Sequence, residues 1–109
     1  MTNIYQFWVY IMANITRKVI YIGVTNDLHR RYIEHKNGVI KGFTDKYKYH
    51  DLIYYEEFKF IEEAITREKE LKGWTRIKKD MLIKSFNPCL KNLAIDMKWV
   101  DTDSSLCSE

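Results

Sequence analysis

The sequence predicts a single α+β domain: a small three-stranded antiparallel sheet flanked by helices, in the order ββαβαα. Three observations lead there. Residues 5–13 (YQFWVYIMA) and 18–24 (KVIYIGV) are rich in β-branched and aromatic side chains, and only Asn14-Ile15-Thr16-Arg17 separates them. Residues 52–58 (LIYYEEF) have the same strand character. Residues 60–79 (FIEEAITREKELKGWTRIKK) instead carry apolar residues at helical spacing. A chain of 109 residues supports one core and is too short for two.

The first two strands are joined closely enough to form a hairpin. With the turn centred on Ile15-Thr16, Tyr10 sits directly across from Tyr21 on one face. Val9, Ile11, Ile20 and Ile22 fill the other face. Gly23 lies two residues past Tyr21 and leaves the tyrosine face bare, as a glycine in a strand does where another group comes close. Asn26 or Asp27 can cap the helix that follows. On it Leu28, Arg31, Tyr32 and His35 share one side, with Arg31 and His35 as i,i+4 neighbours. Residues 38–50 read as a basic, aromatic loop. After the third strand comes the long helix, which Gly73 weakens or bends, since an interior glycine costs about 1 kcal/mol relative to alanine. A last helical segment, near residues 79–85, stops at Asn87-Pro88.

Within the long helix one residue is out of place. At about 100° per residue, Ile61, Ala64, Ile65 and Leu71 make an apolar stripe, and Glu68 falls at its centre. An ionised carboxylate facing a core costs several kcal/mol unless a cation, a metal or hydrogen bonds compensate it. Two explanations stand side by side here. Glu68 and Lys72 form an i,i+4 ion pair, or Glu68 belongs to a site.

The net charge of +3 is unevenly spread. Residues 100–109 (VDTDSSLCSE) hold three acids and no base, so the body of the chain is more basic than the total suggests. Such a body suits a polyanionic partner, most simply nucleic acid. Residues 1–95 are assigned to the domain, and residues 96–109 to an acidic tail expected to be disordered. The longest apolar run, residues 7–13, is far too short to span a bilayer, and no leader pattern is evident. Cys89 and Cys107 have no metal spacing and are expected to be free thiols in a cytoplasmic protein.

Tyr10, Tyr21, Gly23, Arg31, His35 and Glu68 together form a pattern that resembles the GIY-YIG nuclease family, in particular its small stand-alone bacterial (URI-domain) members. Trp8-Val9-Tyr10 stands in the place of the GIY motif, without its glycine. Tyr21-Ile22-Gly23 matches the YIG motif outright. Arg31, within Asp27-Leu28-His29-Arg30-Arg31-Tyr32, is similar to the family's catalytic arginine. Glu68, within Ala64-Ile65-Thr66-Arg67-Glu68-Lys69-Glu70-Leu71-Lys72, is similar to its metal-binding glutamate. Phe43-Thr44 with Tyr47, Tyr54-Tyr55-Glu56, and Asn87-Pro88 with Leu93 extend the likeness over residues 5–93. Asn87 is the choice for the family's C-terminal asparagine, with Asn92 as the alternative.

The resemblance implies metal-dependent DNA endonuclease activity, structure-directed or weakly sequence-specific, because no second domain is present to select a site. DNA is the implied partner, and a protein partner could supply specificity. The implied cofactor is Mg²⁺, with Mn²⁺ as a substitute and Glu68 as the protein ligand. Tyr10 is slightly favoured to activate the water, with Tyr21 assisting and His35 as rival base or relay. A free phenol titrates near about 10, so a base of this kind needs nearby cations to lower its pKa. Arg31 would neutralise charge on the phosphate. Lys46, Lys48, Lys72 and Arg76, with Lys78 and Lys79, would grip the backbone in a salt-sensitive way. A nucleic-acid-binding module without catalysis is the alternative. A purely structural domain is the third class.

Overall fold

The structure is a computed structural model, described here for residues 6–36 and 51–99. Strand β1 (Phe7–Ala13) is central, with β2 (Ile20–Thr25) and β3 (Asp51–Phe58) antiparallel on either side. Four helices complete the described fold: α1 (Leu28–Lys36), α2 (Ile61–Lys72), α3 (Arg76–Phe86) and α4 (Leu93–Asp96). The centre goes to the most continuously apolar strand, as burial on both faces requires. Val9 to Ala13 are all buried.

The sheet divides the core in two. Val9, Ile11, Ala13 and Ile22 pack with Ala64 and Leu71 of α2 and Ile83 of α3 on one side. Tyr10 and Met12 pack with Leu28 and Tyr32 of α1 and with Leu93 and Ala94 on the other. A bulge in β3 adjusts the alternation: Ile11 faces Tyr54 while Met12 faces Leu52, leaving Ile53 as the extra residue. Ile53 and Tyr54 consequently both serve the α2 side.

The hairpin register differs from the expected one by two residues. Tyr10 pairs with Gly23, and Tyr21 pairs with Met12. The cause is a longer connection. Asn14 N–H donates to Val19 O, the Asn14 side chain accepts from Val19 N–H, and Arg17 takes a left-handed φ of 65°. A shift of two preserves the side on which every residue points. Tyr10 and Tyr21 therefore still share a face.

The expected helix over residues 60–79 is two helices. Gly73 N–H closes α2 on the carbonyls of Lys69 and Glu70. The Thr75 hydroxyl then accepts from Lys78 N–H and caps α3, which starts earlier than expected. Ile65, assigned to the buried stripe, is exposed, whereas Ala64 and Leu71 are fully buried. The stripe is therefore narrower than its sequence pattern, and Glu68 lies near its edge.

Two asparagines cover the outer edge of β3. Asn87, buried, donates to the carbonyls of Ile53 (3.0 Å) and Lys91 (2.9 Å) and accepts from Lys91 N–H. Asn92 accepts from Leu52 N–H at 3.1 Å and from Ala94 N–H at 3.1 Å, which caps α4. Neither side chain points a free amide at a substrate. Asn87→Ala would leave the buried Ile53 carbonyl and the part-buried Lys91 backbone groups without this partner, so a loss of about 1–3 kcal/mol is expected in urea unfolding.

The packed chain continues to Trp99, whose ring stacks on His29 (4.6 Å between centroids, 9°) and tilts against Tyr32. Residues 100–109 lie outside the described ones. Cys89 is disulfide-bonded, not the free thiol expected, and no free cysteine occurs among the described residues. Among them, too, no helix is long and apolar enough to cross a membrane.

Candidate active site

Three rings meet where β1, β2 and α1 pack together. The Tyr10 hydroxyl lies 3.0 Å from His35 Nε2. The Tyr10 and Tyr21 rings are 6.1 Å apart between centroids, and Tyr21 and His35 are 5.1 Å apart. Strand alternation puts both tyrosines on the α1 side of the sheet. Helical spacing puts Arg31 one turn before His35 on the face that α1 turns toward them.

Gly23 makes this meeting possible. A Cβ on it would stand 2.6 Å from the Tyr10 hydroxyl oxygen and 3.0 Å from a Tyr21 ring carbon. The phenol lies across the space a side chain would need. Gly23→Val should therefore displace Tyr10, lower stability by about 1–3 kcal/mol as overpacking does, and break the Tyr10–His35 bond. Thermal melting and the His35 ring resonances would report both effects.

Burial sets the protonation states. Tyr10 is 2 % exposed and His35 0 %. Desolvation, with the neighbouring Tyr21, pushes the Tyr10 phenol far above its ordinary value, and the opposing field of Arg31 does not compensate. The expected lowering of the Tyr10 pKa by nearby cations is thus reversed, because burial outweighs the guanidinium. Desolvation and, second, Arg31 lower His35 to about 4. At neutral pH the cluster contains an un-ionised phenol and an uncharged imidazole. Of the two tyrosines, Tyr21 is the more accessible.

The depressed His35 pKa has a consequence for stability. The unfolded chain takes up a proton near pH 6.5, whereas folded His35 takes one up only near 4. The contribution is intact above about pH 6.5 and is lost as the pH falls toward 4, because the unfolded state then binds more protons. The loss should approach about 3 kcal/mol. It should be missing from the pH profile of His35→Gln when urea unfolding of the two proteins is compared.

Arg31 is half-buried. Its Nε lies 3.3 Å from Glu34 Oε1 yet makes no hydrogen bond among the described residues, and His35 Nδ1 likewise has none there. Glu34 was not singled out in the sequence. Its signal was an acid one turn beyond the arginine.

Glu68 lies on α2, which packs against the opposite side of the sheet from Tyr10. Its carboxylate is 19 % exposed and holds the Lys72 ammonium at 2.8 Å. The ion-pair explanation is therefore realised, but the pair is open to solvent. Arg76 is engaged: it bonds Asp80 (2.9 Å) and the carbonyls of Lys18 (2.7 Å) and Arg17 (2.5 Å), so its fork ties α3 to the hairpin loop instead of standing free. Lys46 and Lys48 lie outside the described residues.

The chain is similar to known proteins over much of its length. The model of the GIY-YIG catalytic domain matches residues 6–80. A UPF0213 protein of Bacillus pumilus is 39 % identical over 64 residues, covering 59 % of this chain and 65 % of that protein. A UPF0213 protein of Staphylococcus saprophyticus is 38 % identical over 64 residues, covering 59 % and 78 %. The solution NMR structure of a UPF0213 protein from Bacillus halodurans shares 30 % identity at a TM-score of 0.48, covering 73 % of this chain and 84 % of that one. The match to the Bacillus pumilus relative thus spans just under two thirds of that protein's length. With the family model matching residues 6–80, and the motif tyrosines packed together with His35, this chain belongs to the GIY-YIG family of nuclease domains.

Proposed function

We propose that the protein is a metal-dependent endonuclease that hydrolyses phosphodiester bonds in DNA, with a preference for DNA structure over sequence. The observation that carries this is the gathering of Tyr10, Tyr21 and His35 beside the half-buried Arg31. The guanidinium would hold non-bridging oxygens of the scissile phosphate and offset the charge that builds on them.

The buried state of Tyr10 revises the division of labour between the phenols. Tyr21 is the one a substrate water can reach, so Tyr21 would orient that water. Tyr10 would stand behind it, donating to His35 Nε2 when the imidazole proton is on Nδ1. A proton leaving the water would then pass through Tyr21 and Tyr10 to uncharged His35. A bound phosphate, being negative, would raise the proton affinity of His35 for that moment.

A hard dication bound here would be held mostly by water and substrate. Among the described residues no three His, Cys, Asp or Glu side chains gather as a metal site. Glu68 would be the protein ligand, and Mg²⁺ accepts one carboxylate when waters and a phosphate complete its shell. Its present partner, Lys72, is a solvent-exposed ammonium that can yield. When bound, the ion would supply Lewis-acid stabilisation of phosphate and leaving-group charge.

A DNA-binding module without catalysis is favoured by one observation, the placement of Glu68 with Lys72 on the far side of the sheet. Incubation of supercoiled plasmid and branched DNA with the protein separates the two. Nicking that requires Mg²⁺ or Mn²⁺ and stops with EDTA is expected. Salt-sensitive binding with intact strands at every metal concentration would establish the module instead.

A further inference from the structure

We propose that Glu34 is an internal anion that occupies Arg31 until a phosphate arrives, and so tunes how strongly the site takes its substrate. Glu34 has this role only if Arg31 holds the phosphate, as proposed above.

Glu34 is on α1, one turn beyond Arg31. Its carboxylate is shared: Oε1 lies 3.3 Å from Arg31 Nε, and Oε2 lies 3.8 Å from Arg30 Nε. The two guanidiniums differ. The Arg31 side chain is 31 % exposed and the Arg30 side chain 54 %. Neither contact is tight. Arg31 Nε is buried and, among the described residues, lacks a hydrogen bond even with the carboxylate beside it. The attraction to Glu34 is coulombic, without the aligned N–H···O geometry that makes an arginine–carboxylate pair strong.

A carboxylate and a phosphate offer a guanidinium the same things, a negative charge and paired oxygens. Only one can satisfy Arg31 fully. A phosphate that binds Arg31 in a fork displaces a loosely held carboxylate at little cost. Arg30 gives that carboxylate somewhere to go, with its ion pair kept on the solvent side. Glu34 is thus a positioning residue for Arg31, and it weakens binding of any anion that cannot engage the fork.

A binding cycle tests this. Fluorescein-labelled branched DNA is titrated in EDTA with the wild type, Glu34→Gln, Glu34→Ala, Arg31→Ala, and Arg31→Ala combined with Glu34→Gln. Thermal melting confirms that each protein is folded. Both single Glu34 variants should bind about two- to fivefold more tightly, the gain expected from removing a partly exposed competing charge. The gain should vanish when Arg31 is alanine. In nicking assays the Glu34 variants should show a lower KM with kcat unchanged, the signature of altered uniform binding.

Unchanged or weaker binding by the Glu34 variants would overturn the proposal. So would an equal gain without Arg31, since that is the response of any lost surface acid. A kcat that falls in the Glu34 variants would also overturn it. The cycle needs no cutting, so wild-type protein that binds DNA but never nicks it would refute the nuclease assignment while Glu34 is still decided. Wild-type protein that does not bind DNA would refute both.

Discussion

Glu68→Ala is expected to lose metal-dependent nicking by on the order of 10³-fold or more, while remaining folded. Glu68 lies between Ala64 and Leu71 along α2, near the edge of the buried stripe, and its carboxylate is only partly exposed. Its pairing with Lys72 is solvent-facing and contributes about 1 kcal/mol or less. Stability therefore gives only a weak reason for an acid here, and the proposed metal ligation would give a functional one. Lys72→Met separates the two. It removes the same ion pair but leaves the carboxylate, so it should keep kcat and weaken DNA binding slightly. Equal loss of nicking in Lys72→Met and Glu68→Ala would mean that the pair, and not the carboxylate, is what matters.

Arg31→Ala should lower kcat by about 10²–10³-fold, the usual effect of removing one donor to developing oxyanion charge. Arg31→Lys should recover only part of it, because an ammonium restores the charge and not the two-pronged geometry. The variant also has an independent readout. Arg31 is the second cause of the low His35 pKa, so its removal should move that pKa up toward the ordinary imidazole value. An NMR titration of the His35 ring detects the shift whether or not the protein cuts DNA.

The alternation of apolar and aromatic residues located the three strands, and a face shared by Tyr10 and Tyr21 followed from it. The register did not follow, because Asn14 ties the loop through its side chain and lengthens the connection by a pair of residues. Residues 60–79 kept helical periodicity through Trp74, so the break at Gly73 to Thr75 was visible only as a weak glycine signal. The first helix ends at the Gly73 C-cap, and the Thr75 cap starts the next one. His35 was legible as the i,i+4 companion of Arg31. Its complete burial was not, and burial decides that Tyr10 stays protonated. Asn87 and Asn92 were candidates for a site, and their bonds to the outer edge of β3 could not be read from the sequence. Arg76 looked like a phosphate grip and is tied to backbone carbonyls that are distant in sequence. In each of these cases the deciding partner is a residue that local pattern cannot reveal.

Metal-dependent cutting as proposed requires one centre that includes residues from both sides of the sheet: Glu68 on α2, and the tyrosines with Arg31 on the α1 side. Paramagnetic broadening by Mn²⁺, titrated into isotope-labelled protein bound to a non-cleavable DNA, tests that requirement most directly. The amide signals of Glu68, Tyr21, Gly23 and Arg31 should broaden together at low Mn²⁺, and Glu68→Ala should abolish the effect at all four positions. Broadening confined to the acidic face of α2 around Glu62, Glu63 and Glu70, with Tyr21 and Arg31 untouched, would contradict it.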